Sequence, residues 1–390
     1  MKHYDYIFTG TGLSALMTVY EMVVSEQFQQ KQILLLDVDT KKINDRTWCF
    51  WEEGKGDWKK IIAHDWDFAL FANEKFSRNL DLKPYQYKMI KGIDFYNRVF
   101  KRLSVEKNIT FLNQEILGFS ESGDNVVVQT NEESFSCQKL FNSIYNPESV
   151  QKQTKYPLLQ QHFIGWFIKS TESVFNSDVA TFMDFSVEQR GNTRFMYVLP
   201  TSSTEALIEY TLFSKDLLPK EEYENEIKKY IQKLGITHYE IIETEKGSIP
   251  MTCFPFWKEK KKNILHIGSA GGWTKASTGY TFKSTIKKSK ALVAFLSKEN
   301  DLRKFHTTTK FWLYDLLLLD ILYHKNHLGS TIFSSMFKKG NPSLIFKFLD
   351  EETTFFEDLQ VIWKCPKALF IIALWNRIFK KQLYNNNKTL

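Results

Sequence analysis

Two glycines and an acidic residue near the start of the chain have the types and spacing of a dinucleotide-binding site. Gly10 and Gly12 directly follow an apolar segment, and Asp37 ends a second one. A glycine at the first motif position permits a tight turn, and one at the third lets the backbone approach a pyrophosphate. Ala15 stands where a third glycine is common, and Asp37 is placed to accept hydrogen bonds from a ribose. The pattern therefore predicts contacts to the phosphate and ribose groups of a dinucleotide.

A strand, a helix and a second strand would position these residues. Residues 6–8 form an apolar run before Gly10, the segment from Leu13 is compatible with a helix, and residues 33–36 form the second apolar run. The positive end of a helix that begins at Leu13 would point at the pyrophosphate. A chance pair of glycines is the alternative interpretation. Strand, turn, helix, strand and acid in this order favour a βαβ unit over that alternative.

Composition limits the class of protein. The chain has 390 residues, a formal net charge of +7 and 43% hydrophobic residues, which is typical of a soluble fold of two or three structural units. Its basic residues are mostly dispersed lysines, so we expect no nucleic-acid partner, because nucleic-acid readers favour arginine clusters. Cys49, Cys137, Cys253 and Cys365 lack CxxC spacing, so we expect neither disulfides nor a metal site. No secretory signal pattern is visible, which predicts a cytoplasmic protein.

Residue patterns along the rest of the chain predict two sheets and several helices. A β-meander is expected over residues 109–142, and aromatic-rich strands over residues 161–213 suggest a second, antiparallel sheet. A further strand and glycine turn, residues 264–272, would close the cofactor domain. Helices are predicted over residues 90–107, 220–234 and about 280–297, and helices dominate beyond that point.

Three separated motifs make the chain similar to a known family. They are residues 44–51 (NDRTWCFW), 207–211 (LIEYT) and 277–280 (STGY). In this order they resemble the flavin-dependent lycopene cyclases of carotenoid synthesis. The resemblance implies an α/β fold with a Rossmann-like FAD-binding domain of the aromatic-hydroxylase flavoprotein type, an inserted antiparallel β-sheet substrate domain and a helical C-terminal region.

The implied domain organisation is discontinuous. The FAD-binding domain takes residues 1–75, continues with a helix and the β-meander over residues 76–150, and closes over residues 259–300. Residues 151–258 would form the substrate sheet. Residues 301–390 would form a helical region with candidate membrane contacts.

The resemblance also implies a cofactor and its ligands. FAD would occupy the first glycine motif, with NAD(P)H as the reductant. Gly10, Gly12 and Asp37 match the ADP-binding positions of the family. The second flavin-contacting segment is matched by Gly268, Gly272, Thr278, Gly279 and Tyr280, although Ala276 replaces a common proline. Arg46 is a candidate contact to a flavin phosphate or to an acid, with a structural salt bridge as the alternative.

Glu209 matches the essential acid of the family. The implied reaction protonates the terminal alkene of lycopene, lets the adjacent double bond attack the cation and then releases a ring proton, which gives a β-ionone ring without net redox. An alkene is a very weak base, so burial of the acid would help it keep its proton until substrate arrives. The strand pattern alone favours a solvent-facing Glu209, and the resemblance reverses that preference. Asp184 matches another acidic position and has two open roles, proton transfer or capping of a turn.

Aromatic residues around these acids are candidate pocket walls. The set is Phe182, Phe185, Phe195, Tyr197 and Tyr210, and the last stands where many relatives carry a second carboxylate. Aromatic rings would stabilise a carbocation and exclude the water that traps it as an alcohol. Ordinary core packing is the alternative role for such residues.

The implied substrate, lycopene or another linear carotenoid, must enter from lipid. Two apolar segments, residues 311–322 and 368–375, are too short to span a bilayer but suit packed or interfacial helices. Several lysines would lie near anionic headgroups: Lys338, Lys339, Lys364, Lys367, Lys380 and Lys381. We therefore expect a cytoplasmic protein, peripheral on the inner face of the cell membrane, with other carotenoid-pathway enzymes as candidate partners.

Two other functions are also compatible with the sequence. A flavin monooxygenase or a polyprenyl reductase of the same fold would consume NAD(P)H stoichiometrically with product. A membrane-associated carotenoid-binding protein would have lost catalysis while keeping the fold.

Overall fold

The computed structural model describes residues 1–258, 261–380 and 383–386. Its strands are β1 (Lys2–Thr9), β2 (Ile33–Leu36), β3 (Thr47–Glu53), β4 (His64–Trp66), β5 (Phe68–Asn73), β6 (Phe76–Asp81), β7 (Tyr85–Lys91), β8 (Ile109–Leu112), β9 (Ile116–Ser122), β10 (Asn125–Thr130), β11 (Ser134–Asn142), β12 (Leu159–Ser170), β13 (Val179–Asp184), β14 (Thr193–Pro200), β15 (Glu205–Ser214), β16 (Tyr239–Met251) and β17 (Ile264–His266). Its helices are α1 (Leu13–Val24), α2 (Gly92–Leu103), α3 (Glu148–Lys152), α4 (Lys220–Lys233), α5 (Phe282–Leu296), α6 (Lys310–His324), α7 (Gly329–Lys339), α8 (Pro342–Leu349), α9 (Phe355–Ile362) and α10 (Lys367–Phe379).

The first sheet has the strand order β8-β2-β1-β11-β10-β9, with β17 beside β11. Its centre is parallel, since β1 runs parallel to β2 and β11, and β11 runs parallel to β17. All four residues of β2 are buried, which explains their unbroken apolar run, because a parallel strand is covered on both faces. The predicted βαβ unit is therefore confirmed. β17 pairs with β11 in this sheet, although five strands of the second sheet, β12 to β16, lie between them in the sequence.

The second sheet has the order β16-β12-β15-β14-β13-β5-β6. Its strands are antiparallel to their neighbours except that β13 runs parallel to β5. The hairpin β5–β6 was not expected here. Its two strands flank the predicted boundary between residues 75 and 76, so that boundary cuts a hairpin that belongs to the second sheet. A division by position in the sequence could not show this, because the hairpin pairs with a strand more than a hundred residues further along the chain.

A small third sheet, β3-β7-β4, joins the two larger ones. Side chains of a strand alternate between its two faces, and here the two faces serve different cores. Trp48 and Ile90 pack in the core around α1 and α2, whereas Trp51 and Tyr87 pack in the core under the second sheet. The third sheet therefore places β3 and β7 where the two halves of the molecule meet.

The predicted long helices are present, with shorter bounds. The helix expected over residues 90–107 is α2, which begins at Gly92 because β7 extends to Lys91. The helix expected from Tyr280 is α5, which begins at Phe282 because Gly279 has a φ of +74°, outside the range of helical residues. The helix expected over residues 220–234 is α4.

The C-terminal helices cover one face of the second sheet. Leu316, Leu319 and Leu322 of α6 are buried in the same core as Phe182 and Phe195. The apolar segment 311–322 is therefore a core helix, one of the two roles expected for it. Among the residues that the structure describes, no helix combines the length and apolar character needed to cross a bilayer.

Candidate active site

Three polar side chains lie side by side across the second sheet. In the register of the strands, Gly165 of β12 is paired with Glu209 of β15 on one side and with Glu245 of β16 on the other. Glu209 is in turn opposite Tyr197 of β14. Residues that are paired across neighbouring strands project from the same face of a sheet. Glu245, Glu209 and Tyr197 accordingly line one cavity.

Gly165 leaves the space in which the two glutamates meet. A Cβ atom at this position would lie 2.9 Å from Leu207 Cδ1, 3.2 Å from Glu245 Cγ and 3.5 Å from Glu209 Cβ. A larger residue at position 165 would therefore push against the side chains on both flanking strands. We call Glu209 and Glu245 the carboxyl pair.

The cavity is walled mainly by apolar side chains from three parts of the chain. The second sheet contributes Phe163, Phe182, Met183, Phe195, Leu207, Phe213 and Ile249, and helices α7 and α8 contribute Phe333, Met336, Phe337 and Leu349. The loop before α5 closes another side with Thr278, Gly279, Tyr280 and Thr281. The carboxyl pair thus faces an aromatic chamber next to the segment that the family resemblance assigned to flavin.

Burial controls the protonation of the carboxyl pair. Glu209 is 7% exposed, and loss of hydration raises its pKa well above the ordinary carboxyl value, with the negative charge of Glu245 as the next cause. Burial raises the pKa of Glu245 as well, although a hydrogen bond from Thr47 Oγ1 to Glu245 Oε2 (2.7 Å) and the charge of Lys91 oppose the rise. Glu209 Oε1 accepts a hydrogen bond from Thr211 Oγ1. At neutral pH this environment favours a protonated Glu209, which is a carboxylic acid in an apolar cavity.

Three tyrosine hydroxyls form a cluster at the same cavity. The hydroxyl of Tyr87 hydrogen-bonds to that of Tyr197 and lies 3.0 Å from that of Tyr280. Burial raises the pKa of all three phenols, so they stay neutral near physiological pH. Their rings add polarisable faces to the chamber without adding charge.

The predicted pocket residues divide into two groups. Phe182, Phe195 and Tyr197 line the cavity, as expected. Phe185 lies behind it, stacked on Phe333. Tyr210 points to the opposite face of the sheet, as alternation along β15 requires, and packs with Tyr223 of α4. The expectation of a pocket wall at position 210 is therefore wrong.

Asp184 also lies away from the cavity. Its carboxylate accepts hydrogen bonds from the hydroxyl of Tyr230 on α4 (2.8 Å) and from the backbone N–H of Ser186 (2.8 Å). Of the two roles left open for Asp184, the geometry matches the turn anchor rather than proton transfer. Arg194 of the neighbouring strand β14 is ion-paired with Glu222 of α4 at 2.9 Å.

The first glycine motif forms an open cradle at the N-terminus of α1. Gly10 has a φ of +91°, and a Cβ atom there would lie 2.3 Å from Ser143 Oγ. Gly12 has ordinary backbone angles, and a Cβ atom there would meet no protein atom within 4 Å. No side chain caps α1, and its first turn contains no acid. This open volume beside free helix N–H groups fits the pyrophosphate of a dinucleotide.

The neighbouring predicted ligands support or border this cradle. Asp37 accepts hydrogen bonds from the backbone N–H (2.6 Å) and the hydroxyl (2.9 Å) of Thr11, which fixes the loop between the glycines. Ala15 is fully buried in α1. Arg46 is 56% exposed and ion-paired with Asp45 at 2.8 Å, which matches the salt-bridge alternative.

The second predicted flavin segment and the strand β12 beside it each carry one unsatisfied polar atom. Gly268, Gly272 and Gly279 all have positive φ angles, and a Cβ atom at Gly279 would lie 2.1 Å from Gln161 Oε1. Gln161 Oε1 and Thr278 Oγ1 are buried without a hydrogen-bond partner. Buried polar groups are normally satisfied, so these two atoms at the cavity edge fit a polar ligand such as the ring system of a flavin.

Glu245 and Tyr87 are site residues that the sequence analysis missed. Glu245 lies in a strand rich in charged residues, which resembles a solvated edge, and Tyr87 lies in a strand that no motif marked. The one available signal was the two-residue spacing of Glu243, Glu245 and Gly247, which puts them on one face of a strand.

Comparisons with known proteins give matches over most of the chain. The family model described as lycopene cyclase protein matches residues 5–375. The lycopene beta-cyclase of Pantoea ananas is 22% identical over 300 residues, which cover 73% of this chain and 72% of that protein.

Solved structures with a similar fold are flavoproteins and related enzymes. A geranylgeranyl bacteriochlorophyll reductase-like protein from Thermoplasma acidophilum has a TM-score of 0.62 at 12% identity, with 97% of this chain and 100% of that chain covered. A flavoprotein/dehydrogenase from Cytophaga hutchinsonii has a TM-score of 0.63 at 10% identity, with coverage of 96% and 100%. HpxO from Klebsiella pneumoniae, complexed with FAD, has a TM-score of 0.57 at 13% identity, with coverage of 94% and 100%. The fold is therefore of the flavoprotein type, and the match of the family model over nearly the whole length shows that this chain belongs to the lycopene cyclase family.

Proposed function

We propose that the protein is a lycopene β-cyclase that forms β-ionone rings by acid-initiated cyclisation. The observation that carries the proposal is the burial of Glu209, which raises the pKa of its carboxyl group, in an aromatic cavity beside the loop from Thr278 to Thr281. Membership of the family supports a carotenoid substrate. An acid that remains protonated at neutral pH and is shielded from water suits the protonation of an alkene.

The reaction needs one proton and returns it. The carboxyl group of Glu209 donates its proton to the terminal double bond of the polyene, and the resulting cation is attacked by the adjacent double bond to close the ring. A ring proton then leaves to a carboxylate, which regenerates the acid. The sequence of steps is an isomerisation, because no atom or electron is gained or lost.

The chain provides stabilisation for the cation during these steps. Phe182, Phe195 and Tyr197 line the cavity, and a cation over the face of an aromatic ring gains about 0.5–2 kcal/mol. The same rings exclude water, which would convert the cation into an alcohol. The cavity therefore protects the intermediate as well as stabilising it.

FAD is the proposed cofactor, and NAD(P)H is the proposed reductant. Gly10, Gly12 and the N-terminus of α1 would hold its pyrophosphate, while Gln161 and Thr278 would meet its ring system at the cavity edge. When bound in its reduced form, FAD supplies negative charge near the developing cation. Asp37 fixes the loop that receives it.

Incubation of the purified protein with lycopene, FAD and NADPH under anaerobic conditions, followed by chromatography, tests the function. We expect cyclised product in large molar excess over the NADPH consumed, because the ring closure has no net redox change. One NADPH consumed per product would instead indicate a polyprenyl reductase, an activity favoured by the fold shared with the geranylgeranyl reductase-like protein. A requirement for oxygen would indicate a monooxygenase, and an unchanged substrate without flavin absorbance would indicate a carotenoid-binding protein.

We further propose that the protein docks on the inner face of the cell membrane through α9, α10 and the turn between them. Large apolar side chains are exposed there: Phe355, Phe356, Leu359, Trp363, Ile371, Trp375, Ile378 and Phe379. Lys364 lies in the turn, and Lys367 places its ammonium group 3.4 Å from the centre of the Trp363 ring. Apolar side chains flanked by lysines suit an anionic lipid surface. Lys381, another expected contact, lies outside the described residues.

Replacing both Trp363 and Trp375 with serine is expected to lower binding to anionic vesicles at least tenfold. Burial of one large apolar side chain contributes about 1.5–3 kcal/mol, so the loss of two is readily measured. Co-sedimentation with phosphatidylglycerol vesicles checks the prediction. Leu117→Ser, at a residue 63% exposed on the first sheet, is the matched control. Equal binding of the double variant and the control would contradict this docking surface.

A further inference from the structure

The carboxyl pair has a geometry that Glu209 alone does not explain. Glu245 is on the edge strand β16, yet it reaches the same cavity as Glu209 across Gly165. We propose that Glu245 is a positioning residue that holds one shared proton on Glu209, so that the pair carries a single negative charge. This proposal rests on the proposed function of Glu209 as the acid.

A difference in burial places the negative charge on Glu245 rather than on Glu209. Glu245 Oε2 accepts a hydrogen bond from Thr47 Oγ1 at 2.7 Å, and the side chains of Glu245 and Glu209 approach each other over Gly165. A donated hydrogen bond from a hydroxyl and a nearby lysine favour an ionised carboxylate. Glu209 likewise accepts a hydroxyl hydrogen bond, from Thr211, but it is the more deeply buried of the two carboxyl groups, so it is the better place for the proton.

The groups that face the pair support the same assignment. They are Glu243 and Lys91 on the side of Glu245, and Cys49, Tyr197 and Tyr280 on the side of Glu209. Lys91 Nζ lies 3.4 Å from Glu243 Oε2, and the amide of Asn44 donates to Glu243 Oε1 at 2.6 Å, so the charge of Glu243 is largely compensated. The thiol and the phenols stay neutral because burial raises their pKa values. The remaining uncompensated charge of the cluster is that of the carboxyl pair.

A shared proton would keep Glu209 protonated until the substrate binds. Two carboxylates in one apolar site repel one another, so the second proton is lost only at a pH above the ordinary carboxyl range. Glu209 then stays protonated until a cation forms beside it and offsets the second negative charge. After ring closure, the doubly ionised pair is a strong acceptor for the departing ring proton. Glu245 thus acts through Glu209 and does not touch the reacting carbon atoms.

Glu245→Gln tests this role through the pH dependence of cyclisation. Glutamine keeps the size of the side chain but removes the negative charge, so Glu209 should lose its proton at a lower pH. We expect near-normal activity at pH 6 and a loss approaching tenfold at pH 8, with the descending limb of the pH profile moved to lower pH by about one unit. Glu245→Asp, which restores the charge, should move the limb back towards that of the unaltered protein. Glu240→Gln, at an exposed position of the same strand, is the control.

Thermal unfolding of the same variants gives a measurement that does not depend on activity. Both carboxyl groups have raised pKa values in the folded state, so their stabilising effect is full below the ordinary carboxyl pKa and is lost as the pH rises through the folded-state values. Glu245→Gln removes one buried charge, and the fall in Tm between pH 6 and pH 9 should become smaller.

These outcomes separate the proposal from the function on which it rests. An unshifted pH limb in Glu245→Gln, or an equal loss of activity at every pH, would overturn the shared proton while leaving Glu209 as the acid. Full activity of Glu209→Gln would instead remove the function itself. A variant that fails to fold would be seen in the unfolding curve, and Glu245→Asp then decides the question.

Discussion

Glu209→Gln is expected to lower the rate of ring formation by about 10²- to 10⁴-fold, the usual contribution of a general acid. The amide occupies the same space and can still contact Thr211, but it has no acidic proton to give to an alkene. Because Glu209 lies in the cavity and not in the nucleotide cradle, flavin content and the far-UV circular dichroism spectrum should be unchanged. Product formation under anaerobic conditions, followed by chromatography at several pH values, measures the effect.

A second acid of the same strand provides the control for this experiment. Glu205 pairs with Lys169 at 3.1 Å and its side chain is 38% exposed, so Glu205→Gln should keep nearly full activity. If Glu209→Gln also forms rings at the normal rate, Glu209 is not the proton donor. Loss of flavin from Glu209→Gln would mean that the residue supports the cofactor site instead.

Gly12→Ala is expected to weaken FAD binding about 100-fold, which corresponds to about 2.7 kcal/mol. The backbone at Gly12 has φ −76° and ψ −176°, which any residue adopts, and a Cβ atom would meet no protein atom within 4 Å. The protein without cofactor should therefore keep its Tm. The added methyl group takes up the space through which the backbone approaches a pyrophosphate. Titration of the cofactor-free protein with FAD, followed by fluorescence, measures the change.

Gly118→Ala is the matched control for the cradle. Gly118 lies in β9, and a Cβ atom there also meets nothing within 4 Å, but the position is remote from α1 in the strand order. Its alanine variant should bind FAD normally. Tight FAD binding by Gly12→Ala would show that the pyrophosphate lies elsewhere.

The nucleotide cradle could be predicted from sequence because its parts are close together in the chain. Gly10, Gly12 and Asp37 act through local geometry: a turn, a helix N-terminus and the end of the next strand. Burial of β2 on both faces is also visible in the sequence, because it requires an unbroken run of apolar residues. Glu209 was found through the family motif, since the strand pattern alone favoured solvent.

The rest of the site depends on pairing between distant strands. Phe195 and Tyr210 were both expected in the pocket, but alternation along β14 and β15 sends them to opposite faces, and only the register decides which face holds the cavity. Asp184 likewise follows a β-bulge that lies between Thr181 and Asp184, so simple alternation along β13 does not predict its face. Glu245 reaches Glu209 through β12, the strand between them, so no local pattern could reveal the carboxyl pair.

The order in which a ribosome makes the chain has a consequence for the enclosed cavity. Gly10 and Gly12 emerge first and Glu209 follows in mid-chain, whereas Phe333 and Phe337 in the cavity wall come from α7, near the end of synthesis. Domains fold as they emerge, from the N-terminus onward. Until α7 has been made and docked, one wall of the cavity is missing, so we expect Glu209 to be more hydrated and its pKa to lie closer to the ordinary carboxyl value. We therefore expect the nascent protein to complete its nucleotide cradle before Glu209 gains the surroundings that keep it protonated.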